Sequence, residues 1–384
     1  MPGCEKINNS NQAITRILIA PLDWGLGHTT RCIPIIKAFA SLGAEISLAG
    51  NAKQAHLLRG EFQSLDWIYL DGYDLSYSKS SLTTHLKLFL QIPKILTAIK
   101  RENKWLHEIT RDKKFDVIIS DNRFGLHHEK VHSIFITHQL RIRIPFSKWL
   151  EKKLQSWNYG FIKMFHECWV PDKKDDPNLA GELAHPQQLP ALPVTYIGPL
   201  SRFVDKAFEY ANEPFYLFMV SGPEPQRTVF EEMIEKELRQ FDGKAIVIRG
   251  LPGEKRDKKG FKKVAFINHL PTSDLNKLIQ QASFVICRSG YSSIMDLMIL
   301  KKKSIIIPTP GQTEQEYLAA YLMNKKFCFA VDQKNFSLHK VLHAASNFDY
   351  ADMSVFQQNE LLPIVADLVN RIVSKTFQVD GISG

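Results

Sequence analysis

The chain has 384 residues, 44% hydrophobic and 23% charged, which is typical of a globular protein with two domains. A net charge of +9 favours anionic partners, namely nucleic acid, nucleotide sugars or an anionic membrane surface. The 5 cysteines are scattered and lack metal-ligand spacing, so a reduced, cytoplasmic setting is expected. Residues 1–12 lack the apolar region of a signal peptide and are expected to be a disordered leader. No apolar run approaches the roughly 18 residues that span a membrane.

The chain opens with a strand–helix–strand pattern. The apolar run Arg16–Ala20 predicts a buried strand, and Glu45–Ala49 predicts a second strand after the helix-ending Gly43. Between them, apolar spacing predicts an amphipathic helix over Ile33–Leu42. This order is typical of the doubly wound sheet of a Rossmann-like domain.

The loop after the first strand contains two glycines and a histidine. Gly25 and Gly27 allow a ligand to approach the backbone, and His28, Thr29 and Arg31 follow at the start of the helix. A helix N-terminus lowers the pKa of a histidine and keeps it neutral, as a general base must be. The spacing differs from G-x-G-x-x-G, which argues against a dinucleotide site. The alternative is that His28 is a helix cap or a surface residue.

Polar residues follow two further predicted strands. Asp121 comes after Val117–Ser120, and His138 comes after Ser133–Thr137. Parallel sheets bind ligands at the carboxyl ends of their strands, so both side chains are candidates for a binding site.

The segment between these strands matches the zinc pattern H-E-x-x-H, at His128–His132. Zinc binding would need both histidines on one face of a sustained helix, together with a further ligand. The segment leaves room for about two helical turns and no further ligand motif follows, so we expect no metal site.

Two stretches are basic and apolar at once, Tyr73–Lys114 and Arg141–Lys153. Apolar residues recur at helical spacing in the first stretch, with lysines and arginines between them. One interpretation is a packed helix pair with a solvated basic face. The other is a surface that docks on anionic lipid.

The second half of the chain contains the most informative stretch, Phe284–Glu316. A strand, Phe284–Cys287, turns sharply at small polar residues into a helix, which leaves the first amides of that helix unpaired. Those amides and the helix dipole favour an anion such as a diphosphate. Asp296 lies about one turn into the helix, where its carboxylate could accept two hydrogen bonds from a ribose. The alternative is an ordinary turn capped by serines.

The pattern strand–C-R-S-G-x-x-S-x-x-D–helix–strand-P, followed by a loop that ends in Gln315-Glu316, resembles the donor half of GT-B glycosyltransferases, closest to family 28. Gly-Leu-Gly-His-Thr-Thr-Arg also resembles the acceptor-side loop of family 28-like transferases and of a nucleotide-sugar hydrolase. The resemblance implies an α/β fold of two Rossmann-like doubly wound domains that face each other across a cleft. It divides the chain into an acceptor-side domain, residues 13–197, a donor domain, residues 198–352, and a C-terminal helix, residues 353–384, that crosses back to the first domain.

The resemblance also implies a function. The protein would be an inverting transferase that moves a sugar, such as N-acetylglucosamine, from a UDP-sugar to a hydroxyl of a lipid-linked or cell-envelope acceptor. It would need no cofactor, and the sequence has no Asp-x-Asp pair for an obligatory metal and no nucleic-acid-binding motif. The protein would be cytoplasmic and peripheral on the inner face of an anionic membrane. Two rivals remain, a nucleotide-sugar hydrolase in which His28 activates water, and a non-catalytic nucleotide-sugar or lipid-binding protein.

Individual roles follow from the same resemblance. His28 is the implied base, and Gly25, Gly27, Thr29, Arg31, Asp121 and His138 are the implied acceptor-side residues. The diphosphate turn is Ser289–Ser293 with help from Arg288, Asp296 binds the ribose, and Gln315 and Glu316 contact the donor sugar. The sequence has Asp296 where Glu is commoner and Glu316 where the second Gln of the family stands. The full set of implied donor residues is Ser221, Gly222, Phe266, Ile267, Arg288, Ser289, Gly290, Tyr291, Ser292, Ser293, Asp296, Gln315 and Glu316.

Overall fold

The computed structural model describes residues 14–380, apart from residues 63, 74–90, 145–146, 207, 209–212 and 255. The whole of the expected leader, residues 1–12, and part of the basic stretch 73–114 therefore lie outside the described residues. The described elements form two α/β units, each built on one parallel sheet. None of the helices in the described ranges is long and apolar enough to cross a membrane.

The first sheet has 7 strands in the order β3-β2-β1-β4-β5-β6-β7. Its central strands are buried along almost their whole length, as parallel strands covered by helices on both faces must be. The strands are β1 Arg16–Pro21, β2 Glu45–Gly50, β3 Asp66–Tyr69, β4 Val117–Asp121, β5 His132–Ile136, β6 Glu167–Val170 and β7 Val194–Tyr196, and the helices are α1 Gly27–Ser41, α2 Ala52–Arg59, α3 Ile92–Asp112 and α4 Lys148–Ile162.

The second sheet has 6 strands in the order β10-β9-β8-β11-β12-β13. Short 3-10 turns lie at Gly181–Leu183, before this sheet, and at Gln333–Asn335. The strands are β8 Phe215–Met219, β9 Lys244–Ile248, β10 Val264–Ile267, β11 Phe284–Arg288, β12 Ser304–Ile307 and β13 Phe329–Ala330, and the helices are α5 Gln226–Leu238, α6 Thr272–Gln281, α7 Tyr291–Ile299, α8 Thr313–Asn324, α9 Leu338–Ser346 and α10 Leu361–Asp380.

Each sheet reverses its strand order once, between β1 and β4 in the first and between β8 and β11 in the second. Ligands of open α/β sheets bind at such switch points, outside the carboxyl ends of the strands. The loops that leave β1 and β4 lead to His28 and Asp121, whereas those that leave β8 and β11 lead to Gly222 and Ser289. The fold therefore places the two halves of the predicted site at its two crevices.

Several predicted boundaries were wrong. Helix α1 begins at Gly27 instead of Ile33, because the chain turns into the helix directly after residues 22–26. Helix α2 and strand β3 were not predicted, although Asn51 and Gln54 form a capping box that marks the start of α2.

The later boundaries differ in the same way. Helix α8 begins at Thr313, so Gln315 and Glu316 lie in its first turn and not in a loop. The strand that ends the second sheet is only Phe329–Ala330, and the last helix begins at Leu361, inside the segment 353–384 that the resemblance assigns to it. The start of α8 could have been placed from Pro308, Pro310 and Gly311, which lie just before it, whereas residues 353–360 contain no proline or glycine that would mark the start of the last helix.

The last helix, α10, packs against α1 of the first sheet. Nη1 of Arg371 on α10 lies 2.7 Å from Oε1 of Glu167 on β6, so an ion pair ties this helix to the first sheet. Burial opposes ionisation of Glu167, but hydrogen bonds from His132, Arg371 and Trp169 dominate and lower its pKa to about 2.

Candidate active site

Two glycines lie at the start of α1, and each position requires glycine for a different reason. Gly25 has a φ of +73°, a left-handed conformation that glycine adopts without strain. A Cβ atom at Gly27 would lie 2.9 Å from Oγ of Ser292, which belongs to α7 above the other sheet. The sequence predicted room for a ligand at this loop, whereas at Gly27 the close neighbour is the second half of the chain itself.

His28 lies in the first turn of α1 and contacts Asp121, which ends β4. Nδ1 of His28 is 3.1 Å from Oδ1 of Asp121, and the carboxylate is fully buried. A carboxylate only accepts hydrogen bonds, so Nδ1 carries the proton and the lone pair of Nε2 is left to act as a base. Burial, followed by the charge of Arg31, lowers the pKa of His28, and Asp121 opposes this shift. The imidazole is therefore neutral at neutral pH.

Arg31 holds the other side of this carboxylate. Its Nε donates to Oδ2 of Asp121 at 2.7 Å and its Nη2 donates to Oδ1. Both side chains are almost entirely inaccessible to solvent. Burial alone would raise the pKa of Asp121, but Arg31 and then His28 hold it well below its usual range. Asp121 is thus a fixed negative charge behind His28.

The network continues from Arg31 across the cleft. Nη1 of Arg31 lies 3.2 Å from Nδ1 of His138, and Nε2 of His138 lies 2.6 Å from Oε1 of Glu314. Glu314 is in the first turn of α8, in the second half of the chain, and a third of its side chain is exposed. The structure thus brings together the predicted base, three of the predicted acceptor-side residues and one residue that the sequence did not single out.

Sequence reasoning missed Glu314 because its partner is 176 positions away. The available signal was its position directly before the predicted sugar contacts. Thr29, by contrast, is buried and its hydroxyl accepts from Nε2 of Gln54, so it braces α1 against α2 and lies outside the network.

The predicted diphosphate turn leads into α7, whose N-cap, Gly290, makes no side-chain cap. The first amides of a helix have no partner within that helix, so those of residues 291–293 are available to an anion. Three side chains of the turn bind protein instead. Ser289 donates to the carbonyl of Gln315 at 2.9 Å, Tyr291 to that of Pro171 at 2.8 Å, and Ser292 to that of Gly27 at 3.1 Å.

Arg288 and Asp296 flank this turn. The guanidinium of Arg288 lies over the ring of Phe230, 4.0 Å from its centroid, and burial lowers its pKa to about 9. It donates to the carbonyls of residues 307 and 308, so it binds the carboxyl end of β12. Asp296 accepts a 2.6 Å hydrogen bond from Ser201, and burial raises its pKa to about 6, against the opposing charge of Arg202.

The predicted sugar contacts brace the loop before α8. Oε1 of Gln315 accepts from the amide of Thr309 at 2.9 Å, and Oε1 of Glu316 accepts from the amide of Gly311 at 2.8 Å. Each side chain retains further donors or acceptors that could bind a sugar hydroxyl.

The remaining predicted donor residues lie at the ends of β8 and β10. Gly222 follows Ser221 in the loop after β8 and has a φ of +111°. The ring of Phe266 is buried in the core, so only its main chain could reach a base. The carbonyl of Ile267 already accepts from the amide of Arg249 at 2.8 Å.

The H-E-x-x-H segment is not helical, so its histidines do not share a helix face. The ring of His128 packs on that of His107 at 4.7 Å, and His132 contacts Glu167 at 3.1 Å. Over the part of the chain that the structure describes, no three His, Cys, Asp or Glu side chains are grouped so as to hold a metal ion.

Part of the second half of the chain is similar to a known protein family. Residues 226–361 match the model of the glycosyltransferase family 28 C-terminal domain. This match covers α5 to the start of α10 and includes the predicted diphosphate turn. A comparison with curated proteins gives no match.

Solved structures resemble the whole chain. The glycotransferase of kitacinnamycin has a TM-score of 0.63 and 15% identity, over 94% of this chain and 100% of that one. MurG of Acinetobacter baumannii has a TM-score of 0.54 and 11% identity, over 93% and 99%. The spinosyn rhamnosyltransferase SpnG, complexed with thymidine diphosphate, has a TM-score of 0.56 and 12% identity, over 94% and 96%. At these identities the likeness shows a shared fold.

Proposed function

We propose that the chain is a GT-B glycosyltransferase that transfers a sugar from a UDP-sugar to an acceptor hydroxyl with inversion. The family 28 C-terminal domain model that residues 226–361 match, and the fold shared with solved glycosyltransferases, support this proposal. The observation that carries this proposal is the contact between the two crevices. The hydroxyl of Ser292, in the predicted diphosphate turn, donates to the carbonyl of Gly27 at 3.1 Å, and His28 is the next residue. A donor held at the start of α7 would therefore have its sugar near the imidazole.

In the proposed reaction, Nε2 of His28 removes the proton of the acceptor hydroxyl while that oxygen bonds to the anomeric carbon of the donor. The bond between the anomeric carbon and the diphosphate oxygen breaks on the opposite face, so the configuration inverts. The nucleoside diphosphate leaves with the electron pair. Asp121 stabilises the imidazolium that forms, because its buried carboxylate is ionised and contacts Nδ1.

The nucleoside diphosphate gains one negative charge as its bond to the anomeric carbon breaks, and the site must stabilise that charge. A diphosphate bound at the start of α7 would face the main-chain amides of residues 291–293 and the positive end of the helix dipole. Arg288, which precedes the turn and binds the end of β12, would add positive charge near the diphosphate. Preorganised amides stabilise charge without reorganisation during the reaction, which is why they lower the barrier.

The donor nucleotide and sugar are the finer part of the proposal. Resemblance favours uridine, with the main chain at Phe266 and Ile267 as the base contact, Asp296 on the ribose and Gln315 and Glu316 on the sugar. N-acetylglucosamine is the first sugar to test. SpnG, which has the same fold, is complexed with thymidine diphosphate, so dTDP-sugars belong in the same screen.

We also propose that the acceptor is lipid-linked and that the protein, cytoplasmic, binds the inner face of an anionic membrane through α4. Trp149 is 70% exposed, Trp157 is 39% exposed, and Met164 just beyond the helix is 55% exposed. The one acid of α4, Glu151, is mostly buried and paired with Arg141, so the exposed side carries no carboxylate. Tryptophan with lysine on one face is typical of helices that lie in a membrane interface. The exposed lysines on this face are Lys148, Lys152, Lys153 and Lys163.

The first experiment is a thermal-shift screen of UDP-, GDP-, ADP- and dTDP-sugars, since a ligand of the folded state raises its Tm. A selective rise with a UDP-sugar supports the donor assignment. A selective rise with a dTDP-sugar replaces uridine by thymidine, and no rise with any nucleotide argues against a donor site.

Turnover then tests the base. His28→Ala should lose transfer to an acceptor hydroxyl by about 10²- to 10⁴-fold while its affinity for the donor is retained. His343→Ala, on the exposed side of α9, is the matched control and should behave as wild type. Unchanged turnover in His28→Ala refutes the base. Release of free sugar without an acceptor, equal in rate to transfer, favours the hydrolase.

A further inference from the structure

Glu314 is the one member of the His28 network that comes from the second half of the chain. It lies between the predicted donor residues and the predicted base, and its carboxylate is directed at His138 instead of at the core. Its pKa is lowered, because His138, His28 and Arg31 together outweigh the effect of burial. A negatively charged carboxylate is therefore connected through His138 and Arg31 to the proposed base.

The hydrogen-bond donors fix the protonation of the network. Arginine only donates, so Nδ1 of His138, 3.2 Å from Nη1 of Arg31, must be an acceptor. The proton of neutral His138 is then on Nε2, where it is donated to Glu314. Arg31 in turn fills both oxygens of Asp121, which holds Nδ1 of His28. The contacts with Arg31 and Glu314 thus select the same tautomer of His138, and Arg31 and Asp121 connect His138 to His28.

The donor half also holds the ring of His138 in place. The ring of Tyr291 stacks on it at 4.1 Å with an interplanar angle of 7°, and the Tyr291 hydroxyl donates to the carbonyl of Pro171. The start of α7 therefore contacts Gly27, which precedes His28, and the start of α8 contacts His138. Separation of the two sheets would remove all of these contacts together.

We propose that Glu314 is a positioning residue which, through His138 and Arg31, holds Asp121 and His28 in the arrangement of an active base when the two halves of the molecule are closed. This inference rests on the proposed function, because it assumes that His28 is the base. Closure then does more than cover the donor, since it completes the base. In an open molecule His138 would lack this acceptor and would keep, of the contacts described above, the one with Arg31.

The test is a set of variants in a wild-type background. Glu314→Ala removes the contact, Glu314→Gln keeps an acceptor oxygen for His138 without the charge, and His138→Ala removes the partner. The double variant Glu314→Ala/His138→Ala completes a cycle. Lys325→Gln is the matched control, because it removes a different ion pair between the halves, to Asp176 at 2.8 Å, beyond the other end of α8.

The expected result is a fall in kcat of about tenfold for Glu314→Ala with KM for the donor nearly unchanged, which is the size of one coupling between contacting residues. Glu314→Gln should recover most of this loss. The double variant should be no slower than His138→Ala alone. A rise in the donor KM with kcat preserved, or losses in the two single variants that multiply in the double variant, overturns the inference and makes Glu314 a substrate ligand.

A second measurement does not depend on turnover. In protein with ¹⁵N-labelled histidine, His138 should be the Nε2–H tautomer and His28 the Nδ1–H tautomer in wild type. Glu314→Ala removes one of the two contacts that fix His138, so a fraction of its Nδ1–H tautomer should appear, whereas Asp121 keeps His28 as the Nδ1–H tautomer. Unchanged tautomers in Glu314→Ala overturn the inference. If wild type transfers no sugar but the tautomers respond as expected, the proposed function fails and the positioning role stands.

Discussion

Asp121→Asn is the most demanding test of the site, because this one side chain contacts both a buried cation and the proposed base. Its carboxylate accepts from Nε of Arg31 at 2.7 Å, from Nη2 of the same residue and from Nδ1 of His28 at 3.1 Å. An asparagine has the same shape but presents one acceptor oxygen and one donor NH₂ group. Because Arg31 donates to both oxygens, the NH₂ group faces Arg31 in either orientation, and it also faces His28 when it replaces Oδ1.

In either orientation the buried ion pair with Arg31 is broken, so the free energy of unfolding should fall by about 3–5 kcal/mol. Where the NH₂ group replaces Oδ1, the imidazole of His28 must turn to the Nε2–H tautomer. That change removes the lone pair of the base, and kcat should fall by about 10²- to 10⁴-fold. The negative charge of Asp121 raises the pKa of His28, so its loss should also move the acidic limb of the kcat/KM profile to lower pH.

The assay is steady-state transfer across pH together with urea unfolding of the same preparation. Asp116→Asn is the control, because Asp116 precedes the opposite end of β4 and accepts from the amide of Arg16 at an exposed position. We expect this variant to lose neither activity nor more than about 1 kcal/mol of stability. If Asp121→Asn retained kcat within threefold and unfolded at the wild-type urea concentration, the proposed roles of the carboxylate in catalysis and folding would both be wrong.

Three further predictions use other parts of the structure. Because burial raises the pKa of Asp296 to about 6, affinity for a UDP-sugar should increase from about pH 5 to about pH 7, and Asp296→Asn should remove this dependence in calorimetric titrations. Arg371→Ala should lower the free energy of unfolding by up to about 1 kcal/mol, since Arg371 is 44% exposed. Glu167, its partner, has a pKa of about 2, so this deficit should shrink as the pH falls below about 4 and the unfolded carboxyl becomes protonated. Trp149→Ser with Trp157→Ser should weaken co-sedimentation with phosphatidylglycerol vesicles and leave transfer to a water-soluble acceptor unchanged.

Each of these has a result that contradicts it. A UDP-sugar is used for Asp296 because the terminal phosphate of free UDP itself titrates near about pH 6. Equal pH dependence in Asp296→Asn would mean that another group controls binding. A stability deficit of Arg371→Ala that persists undiminished at about pH 3 would mean that packing of α10 and not the ion pair is responsible. Vesicle binding that survives the tryptophan changes but is lost when Lys152 and Lys153 become glutamate would reduce the membrane contact to charge alone.

The strands and both crevices follow from local sequence. Apolar runs such as Arg16–Ala20 and Phe284–Cys287 are bounded by glycine or polar turns, and short runs of this kind are typical of buried parallel strands. His28, Asp121 and His138 were identified because each follows a strand, and the carboxyl ends of parallel strands meet at one edge. The GT-B fold was predicted correctly on this basis together with the family 28 motif.

The contacts across the cleft could not be predicted in this way. Neither periodicity nor spacing specifies which residue of α8 meets His138, because that depends on how the two sheets are oriented. The same limit explains Gln315 and Glu316, whose side chains hold the loop before α8, and Gly27, whose missing side chain accommodates Ser292. The position of Arg288 over the ring of Phe230 could not be predicted either, since an arginine beside a phosphate turn is expected to face the phosphate.

The close approach of Gly27 and Ser292 has a consequence for protein engineering. Two-domain transferases invite chimeras in which the donor domain of one enzyme is joined to the acceptor domain of another. Here the α1 helix of one domain accepts a hydrogen bond from the other at a position where a single methyl group would collide. A chimera that exchanged one partner without the other would fold each domain correctly and still fail to close. Residue 27 and residue 292 should therefore be transplanted as a pair, although they lie in different domains.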